Sequence, residues 1–257
     1  MRAEHLITSK ANPRFKNLRA LVAAGGAGRS HTLLLGEKLV LAWLEAAEPI
    51  RARFAAETWL RLEGAAPHPL ELRLGLEALV LGEALMRDLA DAGSPPEHAL
   101  LVRIGPEPAG ALAGRVVVPW GIQDPGNLGA ILRSAAAFGF QEAALGPGCA
   151  DPLHPRALRG SMGAAFLLGL RRLEQQPPPD SGRWLALDGG PGATPIAEAD
   201  LAEPVRLLVG NEGHGWRGVQ LPAGTVRMAI PTSGVESLNA AVAAGIACYE
   251  CARRLGR

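Results

Sequence analysis

Between residues 31 and 104 short apolar runs alternate with helical patterns, and the same alternation resumes after residue 115. Such a rhythm leaves few folds open. A strand covered on both faces reads as a short continuous apolar run, and the segment between two such strands must pack back onto the sheet, so the chain is expected to be α/β. In the first half the runs fall at 32–35, 38–47, 50–54, 70–74, 83–92 and 99–104. Residues 105–114 then carry three Gly and two Pro without periodicity, the composition of a linker. The boundary is placed there, between a smaller unit at 1–104 and a larger one at 115–257. In the larger unit strands are expected at 115–120, 143–145, 184–187, 205–209 and 226–230.

Composition narrows the class further. With 48% hydrophobic and 20% charged residues over 257 positions, a disordered chain is excluded. Aromatics make up only 4%, so the core must be built from Ala, Leu and Val. No run reaches the ~18 apolar residues of a membrane span, and the N-terminus lacks the apolar stretch of a signal peptide, which makes a cytoplasmic protein without a membrane partner the expectation. Cys149, Cys248 and Cys251 form no even disulfide framework. Cys248-Tyr-Glu-Cys251 has the C-x-x-C spacing but no second pair to complete a zinc site, and the six histidines are scattered, so no metal is expected.

The net charge of +1 does not advertise nucleic acid, yet the charge is unevenly spread. The first 29 residues hold Arg2, Lys10, Arg14, Lys16, Arg19 and Arg29 against the single acid Glu4. Asn12-Pro13 is a good helix start, after which Phe15, Leu18, Leu21 and Val22 share one face while Lys16 and Arg19 look elsewhere. A solvated helix face explains such a patch as well as an RNA contact does.

Three loops at strand ends carry the chemistry. Gln123-Asp-Pro-Gly-Asn-Leu-Gly-Ala-Ile-Leu-Arg133 combines turn residues with a helix start, where Asn127 is a candidate cap and Arg133 lies beyond the first turn. Gly210-Asn-Glu-Gly-His-Gly215 puts three glycines at the end of an apolar strand, so backbone can approach a ligand closely. Ile230-Pro-Thr-Ser-Gly-Val-Glu-Ser-Leu-Asn239 sets polar residues between a strand and an Ala-rich helix. Ser237 and Asn239 are candidate helix caps there as well as candidate ligand groups. No G-x-G-x-x-G, Walker A or hydrolase elbow occurs, since no Gly-Lys pair exists and Ser161 has Arg159 two positions before it.

In order and spacing the three loops resemble the three motifs of the SpoU/TrmH family of RNA ribose methyltransferases, within the SPOUT superfamily. The resemblance covers nearly all of 115–257, including Arg159-Gly-Ser-Met-Gly163. Residues 1–104, with Ile7-Thr-Ser-Lys-Ala-Asn-Pro13 leading the basic helix, look like the L30e-like substrate-binding domain of many members, although Gly36-Glu-Lys38 departs from the Glu-Gly usual there. The resemblance implies a C-terminal domain with a deep trefoil knot and S-adenosylmethionine bound between the second and third loops. It implies cofactor contacts from Val209, Gly210, Glu212, Gly213, Ile230, Leu238 and Asn239, and a methyl-transfer site of Asn127, Arg133, Glu212, Ser237 and Asn239. RNA contacts would come from Arg14, Lys16, Arg19, Arg133 and Arg159, and the protein would be a homodimer. A guanidinium is a poor base at pH 7, so Arg133 is assigned to the RNA phosphate and the developing alkoxide, with the proton acceptor left open and Glu212 a candidate relay. The N-terminal unit favours rRNA over tRNA; a tRNA enzyme and an inactive RNA-binding protein are the alternatives. Trp216 stands where a smaller apolar residue is common, which would alter the outer pocket wall.

Overall fold

The computed structural model describes residues 5–23, 29–90, 94–174, 176–178, 181–211 and 215–254. The first 104 residues supply a five-stranded mixed sheet from β1 (His5–Ile7), β2 (His31–Leu35), β3 (Phe54–Leu62), β4 (Glu77–Leu81) and β5 (His98–Ile104), in the order β1-β4-β3-β5-β2. Around it lie α1 (Pro13–Ala23), α2 (Glu37–Glu45), α3 (Glu48–Arg51), α4 (Pro69–Leu74) and α5 (Glu83–Ala90). The Asn12 side chain accepts from the Arg14 N–H at 2.9 Å, so the expected cap forms, and Phe15 and Leu18 are buried beneath α1.

β1, β4 and nearly all of β3 fall outside the expected apolar runs. The stretch 50–54 divides between the end of α3 and the start of β3, and β3 continues through Glu57 and Arg61. Arg61 is buried there because both carboxylate oxygens of Glu71 accept from it, at 3.0 and 3.2 Å. A charged residue inside a strand thus conceals a position as inaccessible as its apolar neighbours.

From residue 116 onward the strands β6 (Val116–Pro119), β7 (Glu142–Leu145), β8 (Gly169–Arg172), β9 (Arg183–Leu187), β10 (Thr194–Pro195), β11 (Val205–Val209) and β12 (Val226–Ala229) form one sheet, ordered β10-β12-β9-β11-β6-β7-β8. Every pairing in it is parallel. All its strands therefore end on one edge, and so do the loops that follow them. β8 and the two-residue β10 are additions to the expected set, both too short and too polar to signal themselves. The helices are α6 (Pro125–Ala137), α7 (Pro155–Ser161) and α8 (Ala240–Arg254), with a 3₁₀ turn at Ala164–Leu167.

The two sheets share a core. Leu34, Trp43 and Phe54 belong to the same hydrophobic cluster as Leu158, Ala165 and Phe166, and the Phe54 and Phe166 rings meet edge to face at 5.0 Å. Polar groups cross the same junction: Thr32 Oγ1 donates to the Leu153 carbonyl at 2.7 Å, and Arg53 donates to the Leu170 carbonyl at 2.8 Å. Arg29 Nε meets Asp151 at 2.5 Å with both side chains buried, so Arg29 is structural and no part of a basic surface.

Candidate active site

The first loop is built by its own turn chemistry, with one correction. Asp124 caps α6, its carboxylate accepting from the Asn127 N–H at 2.8 Å, and Pro125 occupies the first helical turn. Asn127 is thereby freed from capping. Its amide oxygen instead accepts from Asn239 Nδ2 at 3.3 Å, joining the first loop to the third. Asn239 Oδ1 meanwhile accepts from the N–H groups of Ala241 and Val242 at 2.9 and 3.3 Å, so this one residue caps α8 and ties two loops together. The second loop is joined as well, because Asn211 Nδ2 donates to the Gly121 carbonyl at 2.8 Å.

Between these loops lies a cavity of about 340 Å³ at the carboxyl edge of the parallel sheet. That is the lower part of the range for small-molecule sites, and a strand-order crossing at this edge is where open α/β sheets bind ligands. Of the residues expected at the cofactor, Val209, Gly210, Ile230 and Leu238 line it, and so does Ser237 of the expected methyl-transfer set. Glu212 and Gly213 lie outside the described residues. Asn239 does not line the cavity; the wall passes from Leu238 to Ala240 and Ala243 while its amide serves the two neighbouring loops.

Gly210 lies close against the side chain behind it. A Cβ there would stand 3.2 Å from the Trp216 ring, which is buried behind the loop and donates its indole N–H to the Leu187 carbonyl at 2.9 Å. Trp216 therefore buttresses the second loop from behind and is not among the residues lining the cavity. Asp188 and Gly189, which follow β9 and belong to none of the three motif loops, complete the cavity. The Asp-Gly-Gly at the end of an apolar strand was the available signal. The lining combines apolar side chains such as Leu187, Met228 and Leu238 with exposed loop backbone and the acids Asp188 and Glu236. This suits a ligand with a flat apolar portion and a positive charge, which describes S-adenosylmethionine.

Arg133 is exposed on α6 and, among the described residues, has no hydrogen bond or ion pair. Six residues beyond Asn127, it is rotated by roughly 120° around the helix, away from the Asn127–Asn239 contact, and it does not line the cavity. The N-terminal cations are partly neutralised by acids distant in sequence: Lys10 and Arg19 share Asp88 at 2.8 and 3.3 Å, and Arg14 meets Glu77 at 2.7 Å. Lys16 is exposed, and Arg2 lies outside the described residues. Arg159 is half-buried and donates to the Ala90 carbonyl at 2.9 Å, which makes it a link between the two layers.

The cysteines are ordinary helix and loop residues. Burial pushes the Cys149 and Cys251 thiols up to about 11 and Cys248 well above its usual range, so none is a thiolate at neutral pH.

Comparison with known proteins agrees with this geometry. Residues 114–249 match the SpoU rRNA Methylase family. An uncharacterized tRNA/rRNA methyltransferase of Synechocystis sp. (strain PCC 6803) is 31% identical over 270 residues, covering 96% of this chain and 93% of that protein. The 23S rRNA (guanosine(2553)-2'-O)-methyltransferase RlmP of Bacillus subtilis is 32% identical over 189 residues, covering 70% and 75%. Among solved structures, the SpoU methyltransferase AviRb from Streptomyces viridochromogenes in complex with AdoMet superposes with a TM-score of 0.76 at 25% identity, over 95% of this chain and 98% of that one. With the motif loops, the all-parallel sheet and a relative matched along nearly its whole length in agreement, the chain belongs to the SpoU rRNA methylase family of S-adenosylmethionine-dependent RNA methyltransferases.

Proposed function

We propose that the protein methylates a ribose 2'-hydroxyl in structured RNA, with rRNA preferred over tRNA, and that it works in the cytoplasm. The observation that carries this is the cavity at one edge of the parallel sheet, walled by the second and third loops and tied through Asn239 to Asn127 on α6. The likeness to RlmP, itself a 23S rRNA 2'-O-methyltransferase, supports ribose as the acceptor and rRNA as the substrate.

The cofactor supplies a methyl already activated on a sulfonium, so the chain's task is alignment and charge control. Val209, Gly210, Ile230 and Leu238 hold the cofactor, largely through backbone and apolar contact. Asn127 and Asn239 fix the first and third loops relative to each other, and Ser237, exposed at the cavity, faces the incoming ribose. Arg133 grips the RNA phosphate and stabilises the oxygen as it loses its proton, with the proton acceptor left open and Glu212 a candidate relay.

Arg133 does not line the cavity of its own subunit, which fits an action across a homodimer interface. Val242, Ile246 and Tyr249 are exposed on α8 at a spacing that makes one stripe, and an apolar stripe of that kind fits an isologous partner. Sedimentation of the cofactor-loaded chain is expected to give a dimer; a monomer at micromolar concentration contradicts it. Residues 1–104 act as an L30e-like RNA-binding unit carrying Arg14, Lys16 and Arg19, joined through 105–114 to a catalytic unit at 115–257. That catalytic unit is a trefoil knot, a reading supported by membership of the family and testable by tracing residues 183–254 in electron density.

The reading is tested with radiolabelled S-adenosylmethionine and either rRNA or tRNA, followed by digestion to nucleosides. Label in a 2'-O-methyl nucleoside from rRNA is expected. Label confined to tRNA overturns the substrate, and label on a base overturns the reaction.

A further inference from the structure

The charged side chains lining the cavity are, among the described residues, Asp188 and Glu236, and both are acids. They sit on different loops that face each other across the mouth: a Cβ on Gly189 would stand 4.0 Å from the Glu236 carbonyl. We propose that Asp188, assisted by Glu236, is a specificity-determining residue that makes the cavity prefer the cationic cofactor to the uncharged product left after transfer. The inference rests on the cavity being the cofactor site.

Net charge is what separates the two ligands. S-adenosylmethionine carries a sulfonium, an ammonium and a carboxylate and is a cation overall, whereas S-adenosylhomocysteine has lost the sulfonium charge and is a zwitterion of net zero. The two differ by one methyl in shape, so apolar contacts and backbone hydrogen bonds distinguish them little. A carboxylate at the cavity wall distinguishes them by a full Coulomb interaction. It favours entry of the methyl donor and departure of the spent product.

Asp188 is held for this role. Its Oδ1 accepts from the Gly190 N–H at 2.9 Å, which fixes the side chain over the loop, and the side chain is only 22% exposed, so water screens it less than a surface acid. Its other oxygen stands 3.4 Å from Arg227, a guanidinium 58% exposed on β12 and not among the residues lining the cavity. That exposed partner offsets the acid only in part, which makes Arg227 a second handle on the same field.

Calorimetry on the full chain with S-adenosylmethionine, S-adenosylhomocysteine and sinefungin, a cationic analogue with an amine in place of the sulfonium, tests this directly. The unmodified protein should bind both cations more tightly than the neutral product. Asp188→Asn keeps an oxygen for the Gly190 N–H while removing the charge. It should weaken both cations roughly tenfold and leave S-adenosylhomocysteine within about twofold. Glu236→Gln should act in the same direction but less, and Arg227→Gln, on the exposed surface, should move cation affinity the opposite way by about threefold. Equal weakening of all three ligands by Asp188→Asn would mean that the residue only shapes its loop, and no change in any would mean that its charge is not felt; either overturns the proposal. If the unmodified protein bound all three equally, charge discrimination would be absent although the cofactor site stood. Failure to bind any of them would overturn the cofactor assignment itself.

Discussion

Arg133 occupies a helix otherwise made of small and apolar residues, is exposed, and meets no acid among the described residues. Replacing it removes a charge that the fold does not use. Arg133→Ala is expected to cost about 10²-fold or more in single-turnover methyl transfer while leaving the affinity for S-adenosylmethionine and the unfolding midpoint unchanged. Asn239→Ala should behave differently. It removes the cap of α8 and the contact to Asn127 together, so about 1 kcal/mol of stability should go along with weakened cofactor binding. Calorimetry with denaturant titration separates the two, and loss of cofactor affinity in Arg133→Ala with normal transfer would assign that residue to the wrong ligand. At this scale the sequence told residue types well and partners poorly. Asn239 was legible as a cap and as a site residue, and it is a cap. That its amide reaches Asn127, 112 positions away, depends on two loops meeting at a sheet edge, which no local pattern encodes. Arg29 looked like one more surface cation because its counter-ion, Asp151, is 122 positions distant.

Elements were legible where a single period dominates. The strands at 116–119, 142–145, 183–187, 205–209 and 226–229 were all visible as apolar runs, since a parallel sheet covered on both faces demands them. Most of β3 was missed for the opposite reason. It mixes charged with buried positions, and its Arg61 is paired with Glu71 from α4. Helix packing is set by glycines whose role shows only in three dimensions. A Cβ on Gly129 of α6 would stand 2.5 Å from the Ala157 carbonyl and 2.8 Å from the Ser161 nitrogen, so α6 and α7 touch backbone to backbone. Gly129→Ala must push α7 away and is expected to destabilise the protein by on the order of 2 kcal/mol in urea unfolding. Since α6 carries Asn127, transfer activity should fall as well. An unchanged midpoint would show that the two helices are less closely seated than described.

For the whole molecule the decisive feature is the junction between the two sheets. A linker-like stretch at 105–114 suggests two units free of each other, yet the core runs from Trp43 and Phe54 into Phe166, and buried charges cross beside it. Removing residues 1–104 would expose Phe166 and Leu153 and take Arg29 from the buried pair with Asp151, so a clean isolated catalytic unit is not expected. Asp151→Ala tests the coupling: with Arg29 left buried and unpaired, a loss of about 3–5 kcal/mol is expected by denaturant unfolding, whereas a change within 1 kcal/mol would show the junction to be open to water. The same junction fixes Lys16, Arg14 and Arg19 relative to the cavity, which sets a fixed reach between the proposed RNA-binding surface and the proposed site of ribose methylation. The proposed function is tested most directly by a map of 2'-O-methylated positions in total RNA from cells with and without this protein. Loss of a ribose methylation in ribosomal RNA is expected, restored by the unmodified chain and not by Arg133→Ala. Identical ribosomal maps, or a methylation lost only from transfer RNA, would contradict it.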